Sequence, residues 1–261
     1  MKKTIAILTI LLATVAVSAP VRSMLAARSS INAPATKTEY TAKDYIQDGL
    51  IAMWDGIEND GYGIHNPDKI GWRDLSGNNF NLNRVNSAYT QIWEDDCLVL
   101  DGLATGNGVL FRSPSGFASS VRTIECICSA NASGKVQCIL SLGNGTKSGV
   151  GVSSDGYIAC KNVSSMSLFA TTAYAAWTFD GNLANVNPNY IYVNGQSSEA
   201  ISKSMDVGSM YLGNTIVIGQ LYASSCKYIG KIYRIALYSR QLSSAEIKHN
   251  YKIDKVRFNL P

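Results

Sequence analysis

The stretch YIGKIYRIALYSRQLSSAEIKHNY, residues 228–251, reads as a β-strand, a short connector and the start of a helix, close to the end of a 261-residue chain. Tyr228, Gly230 and Ile232 share one parity, whereas Ile235 and Leu237 have the other. Alternate residues of a strand point to opposite faces. Both sets can reach one core only if an extra residue slips in, so the spacing predicts a β-bulge near Tyr233–Arg234. Ser243 and Glu246 then form the S-x-x-E pattern of a capping box: the hydroxyl accepts from a free backbone N–H while the carboxylate reaches back to the cap. Leu242 and Ile247 fall at the two staple positions of the same motif. Ile247 and Tyr251, four apart, share a helix face. The pattern predicts a short helix laid as a clasp on a β domain.

Upstream, short apolar runs alternate with turn residues at the spacing of an all-β sandwich. The runs include GLIAMWDG (49–56), CLVLDG (97–102), GVLFR (108–112), TIECICSA (123–130), VQCILSLG (136–143) and NTIVIGQ (214–220). GVGVSSDGYIACKN (149–162) predicts two strands around Asp155-Gly156, and YIYVNGQ (190–196) turns at Asn194-Gly195. Both dipeptides tolerate the positive φ of tight hairpins. No helical period runs for ten residues between Tyr45 and Leu242, and no internal repeat is present.

The N-terminus is different. Lys2 and Lys3 precede an apolar run from Ile5 to Ala19, with no acid before Glu39. These are the charged and apolar regions of a secretory signal, too short for a span of roughly 20 apolar residues. The reading is a signal over residues 1–23, cut near Ser23, a small polar lead over 24–44, and a domain over 45–261. Initiation at Met24 is the alternative and would leave an intracellular or virion protein. Residues 1–23 carry Lys2, Lys3 and Arg22 and no acid, so their loss takes the formal charge from +4 to +1. A nearly neutral chain offers no electrostatic footprint for nucleic acid or an anionic membrane; membrane contact is confined to the signal. Cys97, Cys126, Cys128, Cys138, Cys160 and Cys226 lie in or beside apolar runs. Free core thiols are favoured over disulfides, because buried cysteines serve as small hydrophobes. With only His65 and His249 and no paired C-x-x-C, zinc is not indicated.

Several blocks in order carry a resemblance: GLIAMWDG with WRDLSGNNFNL (72–82), LVLDG (98–102), AAWTFDG (175–181), YIYVNG (190–195), IVIGQ (216–220) and YIGKIYRIALYSRQLSSAEI (228–247). Together they resemble the laminin-G-like branch of the concanavalin A-like lectin/glucanase superfamily. The resemblance implies a two-sheet antiparallel jelly roll with a helix after the final strand. It also implies glycan binding, protein binding, calcium-dependent lectin activity or glucanase activity, among which fold alone does not choose.

Glycosidases of that superfamily set carboxylates on one strand as E-x-D-x-E or E-x-D-x-x-E, facing the sugar. Here WEDDCLVLDG (93–102) offers Glu94 and Asp96 on one parity, but positions 98 and 99 are Leu and Val. The segment reads as a polar turn, and no catalysis is expected. The resemblance suggests calcium at Asp55, Glu58, Asn59 and Asp60, or at Asp95 and Asp96, though neither set follows a dedicated calcium-loop spacing. The loop DGIENDGYGIHNPDKIGW (55–72) exceeds hairpin length, and long loops are often functional. Tyr62, His65 and Trp72 could stack on sugar faces, while Asn59, Asp60 and Asn66 could bond hydroxyls; the bland alternative makes Trp72 core. His249 is expected to face solvent. The sequence thus predicts a secreted or surface-displayed module without catalysis, with a glycan or cell-surface polysaccharide as partner. The alternatives are a structural or adhesion component of a virion, such as a phage tail, contacting protein, and a divergent glycoside hydrolase.

Overall fold

The computed structural model describes residues 39–85, 92–100, 111–114, 121–131, 137–142, 149–152, 157–160, 163–168, 172–179, 190–199, 201–202, 215–219 and 227–260. All fall in one compact unit, Glu39–Pro261. The expected signal, most of the expected lead and the Asp155-Gly156 turn lie outside the described residues. The unit starts before the expected boundary at Tyr45: Ala42–Asp44 forms a 3-10 turn capped by Thr41, and Ala42 is buried.

The described residues form sixteen strands and one α-helix. In chain order the strands are β1 (Leu50–Asp55), β2 (Asn83–Arg84), β3 (Ile92–Trp93), β4 (Leu98–Leu100), β5 (Phe111–Arg112), β6 (Thr123–Ala130), β7 (Gln137–Leu142) and β8 (Gly149–Val152). They continue as β9 (Tyr157–Cys160), β10 (Val163–Leu168), β11 (Ala173–Thr178), β12 (Tyr190–Val193), β13 (Gln196–Glu199), β14 (Ile201–Ser202), β15 (Ile216–Ile218) and β16 (Gly230–Tyr238). One antiparallel sheet runs β13-β12-β11-β6-β16-β4-β3, with β1 also paired to β16; the second runs β14-β10-β9-β8-β7-β15-β5-β2. Trp54, Ile124, Trp177, Ile235 and Leu237 of the first sheet share a core with Phe111, Leu140, Val150, Ile216 and Ile218 of the second. The architecture is an all-β sandwich.

The bulge falls where the parity change requires it. Ile232 pairs with Cys128 and Arg234 with Ile127, so Tyr233 is the extra residue. Tyr228, Ile232, Ile235 and Leu237 all enter the inter-sheet core, while Tyr233, Ala236 and Tyr238 join a second core on the outer face. That outer core is closed by α1 (Ser244–Arg257). Ser243 Oγ accepts from the Glu246 amide at 3.3 Å, and the Ser243 amide donates to Glu246 Oε2 at 2.8 Å, completing the capping box. Leu242 and Ile247 are both buried in the outer core, as a staple requires.

The helix is longer than expected and its buried stripe differs. Ile247, Asn250, Ile253 and Asp254 are buried, whereas Tyr251 is half-buried with its ring 5.6 Å from that of Tyr174. Two of the four buried residues are polar, so the sheet must answer them. Arg234 donates from Nε to Asp254 Oδ1 (2.9 Å), and from Nη2 to Asp254 Oδ2 (2.7 Å) and Glu125 Oε2 (3.0 Å). Asn250 Nδ2 donates to Glu125 Oε1 at 3.0 Å, and the Tyr45 and Tyr174 hydroxyls each donate at 2.6 Å, to Asp254 and Glu125. Asn194 and Gly195 adopt φ of 49° and 71° between β12 and β13, which is the backbone of a type I′ hairpin turn. A Cβ on Gly195 would stand 2.6 Å from Tyr251 Cδ1, so the turn must be bare for the helix to pass. Cys97, Cys126, Cys128 and Cys138 are buried free thiols; Cys226 and the Cys160 side chain lie outside the description.

Candidate functional site

The loop after β1 is held by its own polar groups. Asn59 is fully buried and exchanges bonds with Asn66: its Nδ2 donates to the Asn66 carbonyl (2.9 Å) and its Oδ1 accepts from the Asn66 amide (2.8 Å). Asp60 accepts from Asn66 Nδ2 at 3.0 Å and pairs with Lys69. The Lys69 ammonium, followed by the Asn66 amide, holds the Asp60 carboxyl below its ordinary range despite some desolvation. His65 donates from Nδ1 to the Gly56 carbonyl at 3.0 Å. Tyr62 donates its hydroxyl to the Leu75 carbonyl, keeps 43% of its surface exposed, and has the Lys43 ammonium 4.8 Å from its ring centroid. Of the six residues predicted to meet a sugar, Asn59, Asp60 and Asn66 come together as a scaffold. Tyr62 and His65 are tied to separate parts of the backbone. Trp72 is core, with no exposed surface and its ring edge-on to Trp93 at 5.2 Å.

The calcium set suggested by resemblance is not assembled. Asp55 Oδ2 meets Arg257 Nη1 at 2.6 Å, while Oδ1 accepts from the Ile57 and Glu58 amides. Glu58 lies 3.5 Å from Arg257 Nη2 and accepts from the Gly63 amide. A guanidinium therefore stands where a cation would have to bind, and Asp60 is committed to Lys69. Among the described residues, the one group with ligand atoms mutually within 4.8 Å is Glu94, Asp96 and Cys97. Lys231 pairs with Glu94 there at 2.5 Å. Burial, reinforced by Asp96 and Glu94, pushes the Cys97 thiol well up, and the thiol donates to Glu94 Oε2 at 3.7 Å.

A groove of about 590 Å³ opens between segments 66–73 and 81–84. Reciprocal bonds between Trp72 and Leu82 backbones (2.9 and 2.8 Å) tie its walls together. Gly71 makes that approach possible, since a Cβ there would lie 2.6 Å from the Leu82 carbonyl. Trp93 Nε1 fixes one wall by donating to the Lys69 carbonyl at 2.8 Å. The other wall contains β2, the last strand of the second sheet. The lining mixes amides (Asn66, Asn81, Asn83), charges (Asp68, Lys69, Arg73, Arg84) and Ile70, which is 62% exposed. Of the residues predicted to meet a sugar, Asn66 and Trp72 reach this lining, and Trp72 is buried. A signal for the rest was present in NLNR (81–84), where Asn81 and Asn83 share a parity opposite to buried Leu82, and in KIGWR (69–73), which flanks an exposed Ile with cations.

No family model matches the chain, and no curated protein does. Solved structures do share its fold. Trypanosoma rangeli sialidase in complex with sialic acid matches with TM-score 0.55 and 14% identity, over 79% of this chain and 33% of the sialidase. Domain 4 of AbnA, a GH43 extracellular arabinanase from Geobacillus stearothermophilus in complex with arabinotriose, matches with TM-score 0.52 and 15% identity, over 76% of this chain and 96% of that domain. The binding domain of Paraclostridial Mosquitocidal Protein 1 matches with TM-score 0.53 and 15% identity, over 78% of this chain and 52% of that one. This chain thus spans about a third of the sialidase, and at these identities the likeness is one of fold. The expectation of no catalysis, drawn from the incomplete motif at Glu94 and Asp96, is corrected here. Solved structures that share this fold include a sialidase and a domain of an arabinanase, so the fold does not exclude catalysis. Among the described residues no helix is long and apolar enough to cross a membrane.

Proposed function

We propose that the Glu39–Pro261 unit is a carbohydrate-recognition domain with a laminin-G-like, concanavalin A-like jelly roll, exported and displayed at a cell or virion surface. The glycan lies in the groove between segments 66–73 and 81–84. The observation that carries this reading is the groove itself: its volume of about 590 Å³ falls within the roughly 300–1,000 Å³ of small-ligand sites, which combine apolar surface with a few placed polar groups. Ile70 provides an apolar face for sugar C–H groups, and Asn66 and Asn83 provide donors and acceptors for hydroxyls. The arabinotriose complex of the arabinanase domain adds weight, as a domain of this fold holding a sugar. The test is a glycan array with the intact protein and with Ile70→Ala and Asn83→Ala, both at exposed positions. Retention that drops at least tenfold in both variants, at unchanged melting temperature, supports the reading. A blank array overturns it and leaves the structural role.

A second reading has one observation in its favour. Glu94 and Asp96 offer carboxylate oxygens within 4.8 Å of each other, near the roughly 5–5.5 Å separation of retaining glycosidases. If this pair hydrolyses glycosides, Glu94→Gln and Asp96→Asn each abolish turnover of an aryl glycoside. Equal residual activity in both variants removes that reading.

A further inference from the structure

We infer that Arg257, the last residue of α1, is a positioning residue for the groove: it holds the wall over residues 66–73 in the shape that receives a glycan. The inference rests on the reading of the groove as the glycan site. That wall hangs from residues 55–59 by Asn66, Trp72 and Arg73. Trp72 Nε1 donates to the Asp55 carbonyl at 2.9 Å. The Arg73 amide donates to the Asn59 carbonyl at 3.0 Å. Asn66 receives the Asn59 amide at its carbonyl and donates its own N–H to Asn59 Oδ1. Both ends of the wall therefore follow any movement of residues 55–59.

Residues 55–59 are in turn fixed by charge. Asp55 and Glu58 are both buried, and a buried carboxylate left without a cation is strongly destabilising. Arg257 answers both: Nη1 meets Asp55 Oδ2 at 2.6 Å, and Nη2 lies 3.5 Å from Glu58 Oε2. The Arg257 side chain is 4% exposed, so salt and solvent screen these pairs little. Glu58 Oε2 has no hydrogen-bond partner among the described residues, which leaves the nearby guanidinium charge to hold it. Nη1 also donates to the Tyr45 hydroxyl at 3.2 Å, and that hydroxyl donates to Asp254 at 2.6 Å. One planar guanidinium thus joins the helix to the start of the loop, a geometry that a lysine ammonium cannot reproduce. Arg257 is not in the groove lining, so it acts through Asp55, Glu58 and Asn59.

Hydrogen exchange of the intact protein, read by mass spectrometry, reports on the wall without any ligand, and the glycan array reports on binding. In Arg257→Gln, peptides covering 55–73 are expected to exchange about tenfold faster or more, because local opening frees their bonded amides. Peptides of β6 and β11 keep the parent rate. Retention of the glycans that the parent binds falls about tenfold or more. Arg257→Lys recovers part of both, since it restores the charge without the fork. Asp55→Asn in the Arg257→Gln background also recovers part, because it removes a buried charge left without its cation. A residue that merely stabilised the sandwich would give neither the local exchange nor this rescue. If Arg257→Gln does not fold, Arg257→Lys carries the test, with exchange over 55–73 faster than in the parent and β6 and β11 unchanged. Unchanged exchange over 55–73, or exchange that rises equally in β6 and β11, overturns the positioning role and leaves the glycan reading standing. Local exchange that rises while retention holds overturns it as well. A blank array for the parent overturns the glycan reading, and this role with it.

Discussion

Ser243 and Glu246 show how far a single pair of side chains was legible. The S-x-x-E spacing is local, so the capping box could be read directly and is present with both bonds. Ser243→Ala is expected to lower stability by about 0.5–2 kcal/mol, the usual range for losing an N-cap; denaturant unfolding measures it. Glu246 adds a pH dependence. The Arg240 guanidinium, then the Ser243 amide and hydroxyl, bring its carboxyl down to about 2 against some desolvation. Its folded value lies below the unfolded one, so its stabilisation is complete above the ordinary glutamate range and is lost as pH falls toward 2. Glu246→Gln should therefore flatten the melting temperature between pH 4.5 and 2. Gly195 is a harder residue to read: Asn-Gly predicted the turn, but not that Tyr251 of the helix passes over it. Gly195→Ala meets both a positive φ and a contact at 2.6 Å, and is expected to cost about 1–3 kcal/mol, less in a Tyr251→Ala background where the contact is gone.

At the scale of elements, the terminal helix was legible at its start and illegible along its length. Capping is written in neighbouring residues, whereas the buried stripe is answered by residues far off in sequence: Glu125 lies 125 positions from Asn250 and Tyr45 lies 209 from Asp254. Glu125 alternates with Ile124 and Cys126, so it reads as the solvent side of a strand; the helix is what covers it. Removing Arg234 would leave Asp254 and Glu125 buried without their cation. Such losses cost about 3–5 kcal/mol, so Arg234→Ala should melt far below the parent. Asp254 carries the opposite pH dependence to Glu246. Burial raises its carboxyl to about 6, although Arg234 pulls the other way. The native state then holds a proton more tightly than the unfolded chain, so this contribution is full in acid and is lost as pH rises from 3.8 to 6. A flatter melting profile over that window in Asp254→Asn tests it.

Over the whole molecule, short apolar runs separated by turn residues revealed the sandwich, because strands of both sheets bury a face in a shared core. The loop over residues 55–72 was harder. Polar residues that hold a loop together and polar residues that face a ligand have the same composition, and only burial separates Asn59 from Asn83. Arg257 illustrates the same limit, since its pairing with Asp55 spans 202 positions and displaces the cation once expected there. The thiols allow a check on the cores as units. Cys97, Cys126, Cys128 and Cys138 should resist an alkylating reagent in the native protein and all react once it is denatured without reductant. Protection that persists after denaturation would mean disulfides.

The position of β16 also governs when the protein can fold. It is the last strand in the chain yet lies between β6 on one side and β1 and β4 on the other, with Leu50 partnered by Tyr238. While the chain is being synthesised, β1 has no strand to pair with, and β4 and β6 each lack one of their two partners, until residues 230–238 have left the ribosome. Contacts this distant in sequence slow folding, and waiting strand edges invite pairing with other nascent chains. A chain stopped at residue 227 should therefore collect in the insoluble fraction, and yield of the full chain should rise when translation is slowed by cooling.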